Sequence, residues 1–193
     1  MVARQIMAAG PVEALQSDAV ALDEERIVAE LARLGVSYLS HQTAISETAN
    51  EAPVELVDLL VAVVRQPSAR VRAATIALFL AQPSSWKSVE RAQTQLRPKH
   101  RLTLSLFYSA AVQLQRLHGS ALRTMLGPAW EPLPDLFAEE LGLHDVASPE
   151  SRIAEIARIH RSRTGSYLNW EGTYRQAADR LLRQRALEAQ WSQ

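Results

Sequence analysis

The sequence PVELVDLLVAVVRQPSARVRAATIALFLAQ, residues 53–82, contains two apolar runs separated by the short break Gln66-Pro67-Ser68. In the first run, residues 53–65, the few polar side chains recur at helical spacing along one narrow stripe. A proline in the first turn, acids near the start and an arginine at the end all suit a helix. Because this helix has so little polar surface, it is predicted to be contacted on more than one side.

The second run is predicted to form a helix that begins after Ser68, a good N-cap, and ends before Pro83. Its alanines leave room for a close approach to the first helix. The core is therefore expected around this pair and around a long apolar segment at 100–117. Six core side chains are predicted from these segments: Leu60, Val64, Ile76, Leu80, Phe107 and Leu114.

The helix pair resembles a single HEAT-type repeat, which also consists of two apolar helices joined by a short turn. The resemblance rests on the proline at the start of the first helix, the short turn and the pattern Val71-Arg72-x-Ala74. It covers residues 53–82. Such a resemblance implies a scaffold that binds proteins rather than a catalyst.

Helical spacing and capping residues predict further helices along the chain. They cover residues 22–34, a short stretch after Ser84, residues 100–117, 134–141 and 149–164, and a last helix that begins after Asn169. No hairpin turn lies between alternating apolar runs. The predicted fold class is therefore all-α.

The predicted organisation is a single helical domain at 21–190, with about seven or eight helices in antiparallel pairs or an irregular α-α superhelix. Residues 1–20 are expected to form a loosely ordered N-terminus. Residues 127–134 contain three prolines and one glycine and are predicted to form a loop.

The composition is typical of a soluble globular protein, because 47% of the 193 residues are hydrophobic and 22% are charged. The chain has no cysteine, which excludes disulfides and thiolate metal sites. The apolar run at the start is too short for a secretory signal, and no stretch is apolar and long enough to span a membrane. A cytoplasmic location is therefore expected.

Charge is unevenly distributed along the chain, although the formal net charge is zero. Residues 1–60 carry a net −7, residues 61–130 a net +9, residues 131–150 a net −6 and residues 151–193 a net +4. Such blocks either neutralise one another within the fold or present opposite faces to partners. Neutralisation is the simpler interpretation, and it predicts that Asp135, Glu139 and Glu140 lie near basic residues of 61–130.

No recognised catalytic or metal-binding motif occurs in the sequence. The five histidines are scattered, and Gly142 interrupts the group formed by Glu140, His144 and Asp145. There is no Gly-x-Ser-x-Gly elbow and no glycine-rich phosphate loop. No catalytic residue, metal site or cofactor is therefore predicted, although distant helices can still assemble an enzyme site.

The favoured hypothesis is a non-enzymatic helical interaction protein that binds a protein partner. The predicted contact residues are Arg161, Arg163 and Tyr167, near the end of a predicted helix. Arginine and aromatic side chains often carry much of the binding energy in protein interfaces. Trp170 and Tyr174 follow close by and are predicted to anchor the last helix in the core.

Nucleic-acid binding is the second hypothesis, because residues 61–130 hold ten bases and one acid. Basic side chains neutralise phosphates and release counterions. The zero net charge speaks against it, since such modules are usually strongly basic. The residues that would carry this function are Arg65, Arg70, Arg72, Lys87, Arg91, Arg97, Lys99 and Arg101. A helical enzyme without a recognisable motif is the third hypothesis.

Overall fold

Eight α-helices account for most of the residues that the computed structural model describes, which are 22–39, 52–165 and 167–191. In chain order they are α1 (Glu24–Arg33), α2 (Leu56–Arg65), α3 (Ala69–Ala81), α4 (Val89–Gln95), α5 (Pro98–Leu117), α6 (Gly119–Leu126), α7 (Pro149–Thr164) and α8 (Trp170–Trp191). Two 3-10 helices, Pro83–Ser88 and Gly127–Ala129, follow α3 and α6. No strand occurs within the described ranges, so the predicted all-α fold is confirmed. The loosely ordered terminus predicted at 1–20 lies outside them.

Local capping fixes several helix ends at the positions that the sequence predicts. The Ser68 hydroxyl accepts a hydrogen bond from the backbone N–H of Val71 at 3.4 Å, at the start of α3. At the start of α7, the Ser148 hydroxyl accepts from the backbone N–H of Ser151 at 3.1 Å. Gly165 ends α7 in the left-handed region at φ +64°, a conformation that glycine adopts without strain. These caps satisfy backbone groups that a helix end leaves without partners.

Helices α3, α5 and α8 run in the same direction through the bundle. The rings of Phe79 in α3 and Tyr108 in α5 meet edge to face with centroids 4.9 Å apart. The two helices also start at the same end, because Arg72 in the first turn of α3 lies near enough to His100 in the first turn of α5 to lower its pKa. Ala73 and Thr173, each near the start of its helix, line one small cavity between α3 and α8.

Helices α2 and α7 run the opposite way. A short turn joins the end of α2 to the start of α3. At the start of α7, Arg152 shares the carboxylate of Asp135 with Arg116 from the end of α5, at 3.2 and 3.3 Å. This confirms for Asp135 the predicted approach of the acidic block to basic residues of 61–130. Glu139 and Glu140 are exposed and form no salt bridge with any described residue.

The predicted core side chains are all buried. They lie in α2, α3 and α5 at 0–1% exposure: Leu60, Val64, Ile76, Leu80, Phe107 and Leu114. Helices α3 and α5 therefore form the centre of the fold, with the other elements packed around them. None of the described helices combines the length and the apolar composition that crossing a membrane requires.

The first helix of the central pair begins later than predicted, at Leu56 rather than at Pro53. Glu55 keeps an extended backbone at φ −62° and ψ 139° and serves as the N-cap without a capping bond from its side chain. Its carboxylate pairs instead with Arg91 of α4 at 3.1 Å. This exposed pair links the chain before α2 to α4.

The prediction of a short helix at 134–141 is wrong, because bends and turns form there instead. Side chains of α5 hold the segment in this irregular path. The Tyr108 hydroxyl donates to one of its carbonyl oxygens at 2.8 Å. Gln115 donates to the Glu131 carbonyl at 2.9 Å and accepts from the Leu133 N–H at 2.8 Å.

Candidate functional site

Several helix ends meet at one end of the bundle: the starts of α3, α5 and α8 and the ends of α2, α4 and α7. Arg65, the last residue of α2, donates to the carbonyl of Gln95, the last residue of α4, at 3.0 Å. Leu102 near the start of α5 lines a groove together with Ser162 and Arg163 from the end of α7. We refer to this surface as the basic end and define it by seven basic residues: Arg65, Arg72, Arg97, Lys99, Arg101, Arg161 and Arg163.

Three arginines of the basic end hydrogen-bond to backbone carbonyls beside helix ends. Besides Arg65, Arg101 donates to the Leu96 carbonyl at 2.7 Å, and Arg72 donates to the Pro67 carbonyl at 2.7 Å. Carbonyl groups at the end of a helix have no partner within the helix. The three guanidinium groups therefore support the turns, and because a carbonyl has no formal charge, their positive charges remain.

The other four bases of the basic end project into solvent. Arg97 precedes α5, Lys99 lies in its first turn, and Arg161 and Arg163 lie in the last turn of α7. All four side chains are exposed, and none of them forms a side-chain hydrogen bond or salt bridge with a described residue. A ligand can therefore reach them without displacing an internal contact.

Within the described part of the chain, no carboxylate forms a salt bridge with the basic end. The salt bridges among the described residues use other bases: Arg26, Arg33, Arg91, Arg116, Arg152, Arg158, Arg175 and Arg185. The mutual neutralisation expected of the charge blocks is therefore not found for this surface.

His100 lies among these charges, in the first turn of α5, and is half-buried. Burial lowers the pKa of its imidazole, and the positive charges of Arg65, Lys99, Arg97 and Arg72 lower it further. These four bases come from three different helices and their flanking residues. All four positive charges therefore lie close enough to this ring to act on it, and an anion at this point would be attracted by them.

The structure divides the eight basic residues predicted to bind nucleic acid, and five of them belong to the basic end. Lys87 lies in the 3-10 helix before α4, and Arg91 pairs with Glu55 at 3.1 Å, so both lie outside it. Arg70 lies in the first turn of α3 on the side that faces α8, where it donates to the Tyr38 carbonyl at 3.5 Å.

All three residues predicted to contact a protein partner lie at this same end. Tyr167, in the turn between α7 and α8, is 100% exposed, and Leu168 beside it is 44% exposed. The two residue sets that the sequence kept apart thus meet on one surface. No sequence signal indicates this meeting, because it depends on α7 running antiparallel to α5.

A buried aromatic cluster supports the turn between α7 and α8. The rings of His160 and Trp170 stack at 3.6 Å, and Nδ1 of His160 shares a hydrogen bond of 2.6 Å with the Tyr174 hydroxyl. Burial, and to a lesser extent Arg72, lowers the pKa of His160 to about 3, while burial raises the pKa of Tyr174. His160 is therefore neutral at physiological pH. As predicted, Trp170 and Tyr174 anchor the last helix.

A groove of about 530 Å³ adjoins the basic end, between α7, the start of α5 and a turn that includes Gly142. Arg163 lines it, but Arg158 on the same wall is paired with Glu155 at 2.6 Å. Glu140 adds a further negative charge to the lining. The groove is therefore of mixed charge, and the strongest uncompensated charge lies on the basic end itself.

Comparison with protein-family models, with curated proteins and with solved structures gives no match for this chain. Its ligand chemistry therefore has to follow from its own geometry. No group of three or more histidine or acidic side chains that could hold a metal ion occurs within the described ranges. Exposed guanidinium and ammonium groups without acidic partners are suited to binding phosphate or carboxylate groups.

Proposed function

We propose that this chain binds nucleic acid and that the basic end holds its phosphate groups. The observation behind this proposal is a surface of seven basic side chains, from α2, α3, α5 and α7, with no salt bridge to a described carboxylate. Arginine and lysine neutralise backbone phosphates and release condensed counterions, which supplies most of the non-specific affinity. Several bases on one surface suit a polyanion better than a single small anion.

The zero net charge of the chain does not oppose this proposal. Arg116 and its partner Asp135 lie near the far end of α5. At about 1.5 Å per residue, this is roughly 25 Å from Lys99. The Debye length at physiological ionic strength is about 8 Å. Acids at the far end are therefore screened from a ligand at the basic end, and the seven bases there outnumber the nearby acid Glu140.

The experiment removes the four solvent-facing bases, because the three capping arginines also support the fold. Binding of a labelled oligonucleotide of about 20 nucleotides, longer than typical site sizes of about 4–16, is followed by fluorescence anisotropy. The variant carries Arg97→Gln, Lys99→Gln, Arg161→Gln and Arg163→Gln. A matched control removes the same charge elsewhere, at exposed residues, by Lys87→Gln, Arg91→Gln, Arg123→Gln and Arg183→Gln.

We expect the basic-end variant to bind about tenfold more weakly or worse, because its phosphate contacts are lost. The slope of log K against log salt should become shallower by up to about 3, since each contact to a single strand contributes about 0.7. The control should bind like the parent. Equal affinities for all three proteins, or no binding by the parent at about 100 mM salt, would contradict the proposal.

A protein partner is the second candidate, because Tyr167 and Leu168 expose apolar surface next to Arg161 and Arg163. Arginine and aromatic side chains are frequent at the energetic centre of interfaces. The resemblance of α2 and α3 to a HEAT-type hairpin favours the same candidate. Either partner would be met in the cytoplasm, the compartment expected from the sequence.

Affinity purification from cell extract, with and without nuclease, separates the two candidates. The parent is compared with the triple variant Arg161→Ala, Arg163→Ala and Tyr167→Ala. A protein that survives nuclease treatment and is lost with the triple variant supports a protein partner, provided that thermal stability is unchanged. Capture that nuclease abolishes supports nucleic acid. If the triple variant unfolds, the three residues are structural.

A further inference from the structure

We propose that the bound nucleic acid is single-stranded and that the ring of Tyr167 stacks on one of its bases. This inference rests on the proposed function, and it concerns the form of the nucleic acid rather than the phosphate contacts. Proteins that hold single strands combine a basic surface along the backbone with aromatic rings on which bases stack. Both parts are present at the basic end.

The charges of the basic end lie at helix ends and not along an exposed helix face. Arg65 ends α2, Arg97 and Lys99 flank the start of α5, and Arg161 and Arg163 lie in the last turn of α7. Sequence-reading proteins place a helix or a β-ribbon lengthwise into the major groove of a duplex. Here no single helix carries the charge along its length. A flexible single strand can instead follow a surface made of helix ends.

Tyr167 is an exposed aromatic side chain of this surface, and described contacts lie before and after it in the chain. On one side, the backbone N–H of Gly165 bonds to the Arg161 carbonyl at 3.0 Å. On the other side, Trp170 is buried and stacks on His160. A base can therefore reach the ring without displacing an internal contact. Stacking on a base would cover an apolar ring that is 100% exposed in the free protein.

The experiment compares a single-stranded oligonucleotide with the duplex of the same sequence, for the parent and three variants. Tyr167→Ala removes the ring, and Tyr167→Phe keeps it. Trp191→Ala is the matched control, because it removes another exposed aromatic side chain, 81% exposed, at the opposite end of α8. Ultraviolet cross-linking followed by mass spectrometry reports directly on the residue in contact with a base.

We expect the parent to bind the single strand more tightly than the duplex. Tyr167→Ala should weaken binding of the single strand about 5- to 150-fold, the effect of losing one stack between a base and an aromatic ring. Tyr167→Phe and Trp191→Ala should stay within about twofold of the parent, because neither removes the stack. Cross-links should form at Tyr167 and not at Trp191.

Failure of this inference differs from failure of the proposed function. The inference is overturned, and phosphate binding stands, if binding depends on the four solvent-facing bases but not on the Tyr167 ring. The same holds if the duplex binds as tightly as the single strand. If the parent binds neither form, both proposals are wrong.

Discussion

At the residue scale, His160 makes the stability of the fold depend on pH. Burial holds its pKa at about 3 in the folded state, against about 6.5 for an exposed histidine. Between these values the unfolded chain binds a proton that the folded chain does not. The contribution of His160 to the free energy of unfolding is therefore largest above about pH 6.5 and decreases as the pH falls towards 3. Between about pH 6.5 and pH 5, this residue alone should lower the free energy of unfolding by about 2 kcal/mol.

Urea unfolding at about pH 7.5 and pH 5 checks this effect in the variant His160→Gln. Its amide can still hydrogen-bond to Tyr174 but does not titrate. The variant should be less stable at the higher pH, because the stack on Trp170 is lost, yet it should lose about 2 kcal/mol less on acidification. His100 titrates in both proteins, so its contribution cancels. Parallel pH profiles for parent and variant would show that His160 is not responsible.

Sequence spacing could predict that these residues face inward, but not that they touch. His160 follows Ile153 and Ile156 on the apolar side of α7, which indicates burial but not its partner. Its stack on Trp170 depends on the turn that folds α8 back along α7. The exposure of Tyr167 depends on that same turn. Helical periodicity stops at each helix end, so it has no information on either contact.

At the scale of elements, the segment 131–148 has no helix of its own and depends on α5. The Gln115 side chain makes two hydrogen bonds to the backbone of this segment: it donates to the Glu131 carbonyl at 2.9 Å and accepts from the Leu133 N–H at 2.8 Å. Gln115→Leu leaves that buried N–H without a partner, which should cost about 1–3 kcal/mol. Hydrogen exchange of backbone amides should become faster in this segment, while amides of α3 stay protected.

The control for this prediction is Gln190→Leu, a change at an exposed position near the end of α8. It should change the free energy of unfolding by less than about 0.5 kcal/mol. If exchange in segment 131–148 is unchanged in Gln115→Leu, its path is set by its prolines and buried leucines instead.

The same segment shows where local sequence signals fail. Pro134 and Asp135 suit the start of a helix, and Gly142 suits its end, so these local signals predict a helix. Asp135 instead binds Arg116 and Arg152, at 3.3 and 3.2 Å, which brings together two helices. Caps such as Ser148 and Gly165 remain informative because they act within one helical turn. Contacts between distant helices override propensity and leave no local pattern.

At the scale of the whole molecule, the basic end collects like charges that repel one another. Replacing four of them, in the glutamine variant of Arg97, Lys99, Arg161 and Arg163, should leave Tm unchanged or raise it at about 20 mM salt. The difference should vanish near 1 M salt, where the Debye length is about 3 Å. Scanning calorimetry at both salt concentrations measures this. A clear loss of stability would show that these bases hold the fold together.

The sequence predicts that charge is segregated, but not where it collects in space. Residues 65–101 form one basic block along the chain, yet Lys87 and Arg91 lie outside the basic end. Arg161 and Arg163 join it from a distant part of the chain. Nearness along the chain means nearness in space only within a turn or two. Beyond that, the direction in which each helix packs decides which charges meet.

The position of the basic end also affects how the molecule moves before any contact forms. A body that carries a cluster of unpaired bases at one end experiences a torque in the field of a polyanion. Rotation then brings the charged end to the front during diffusion, so a larger share of collisions is productive. The approach thus has a preferred direction, which comes from where the helices end rather than from any single side chain.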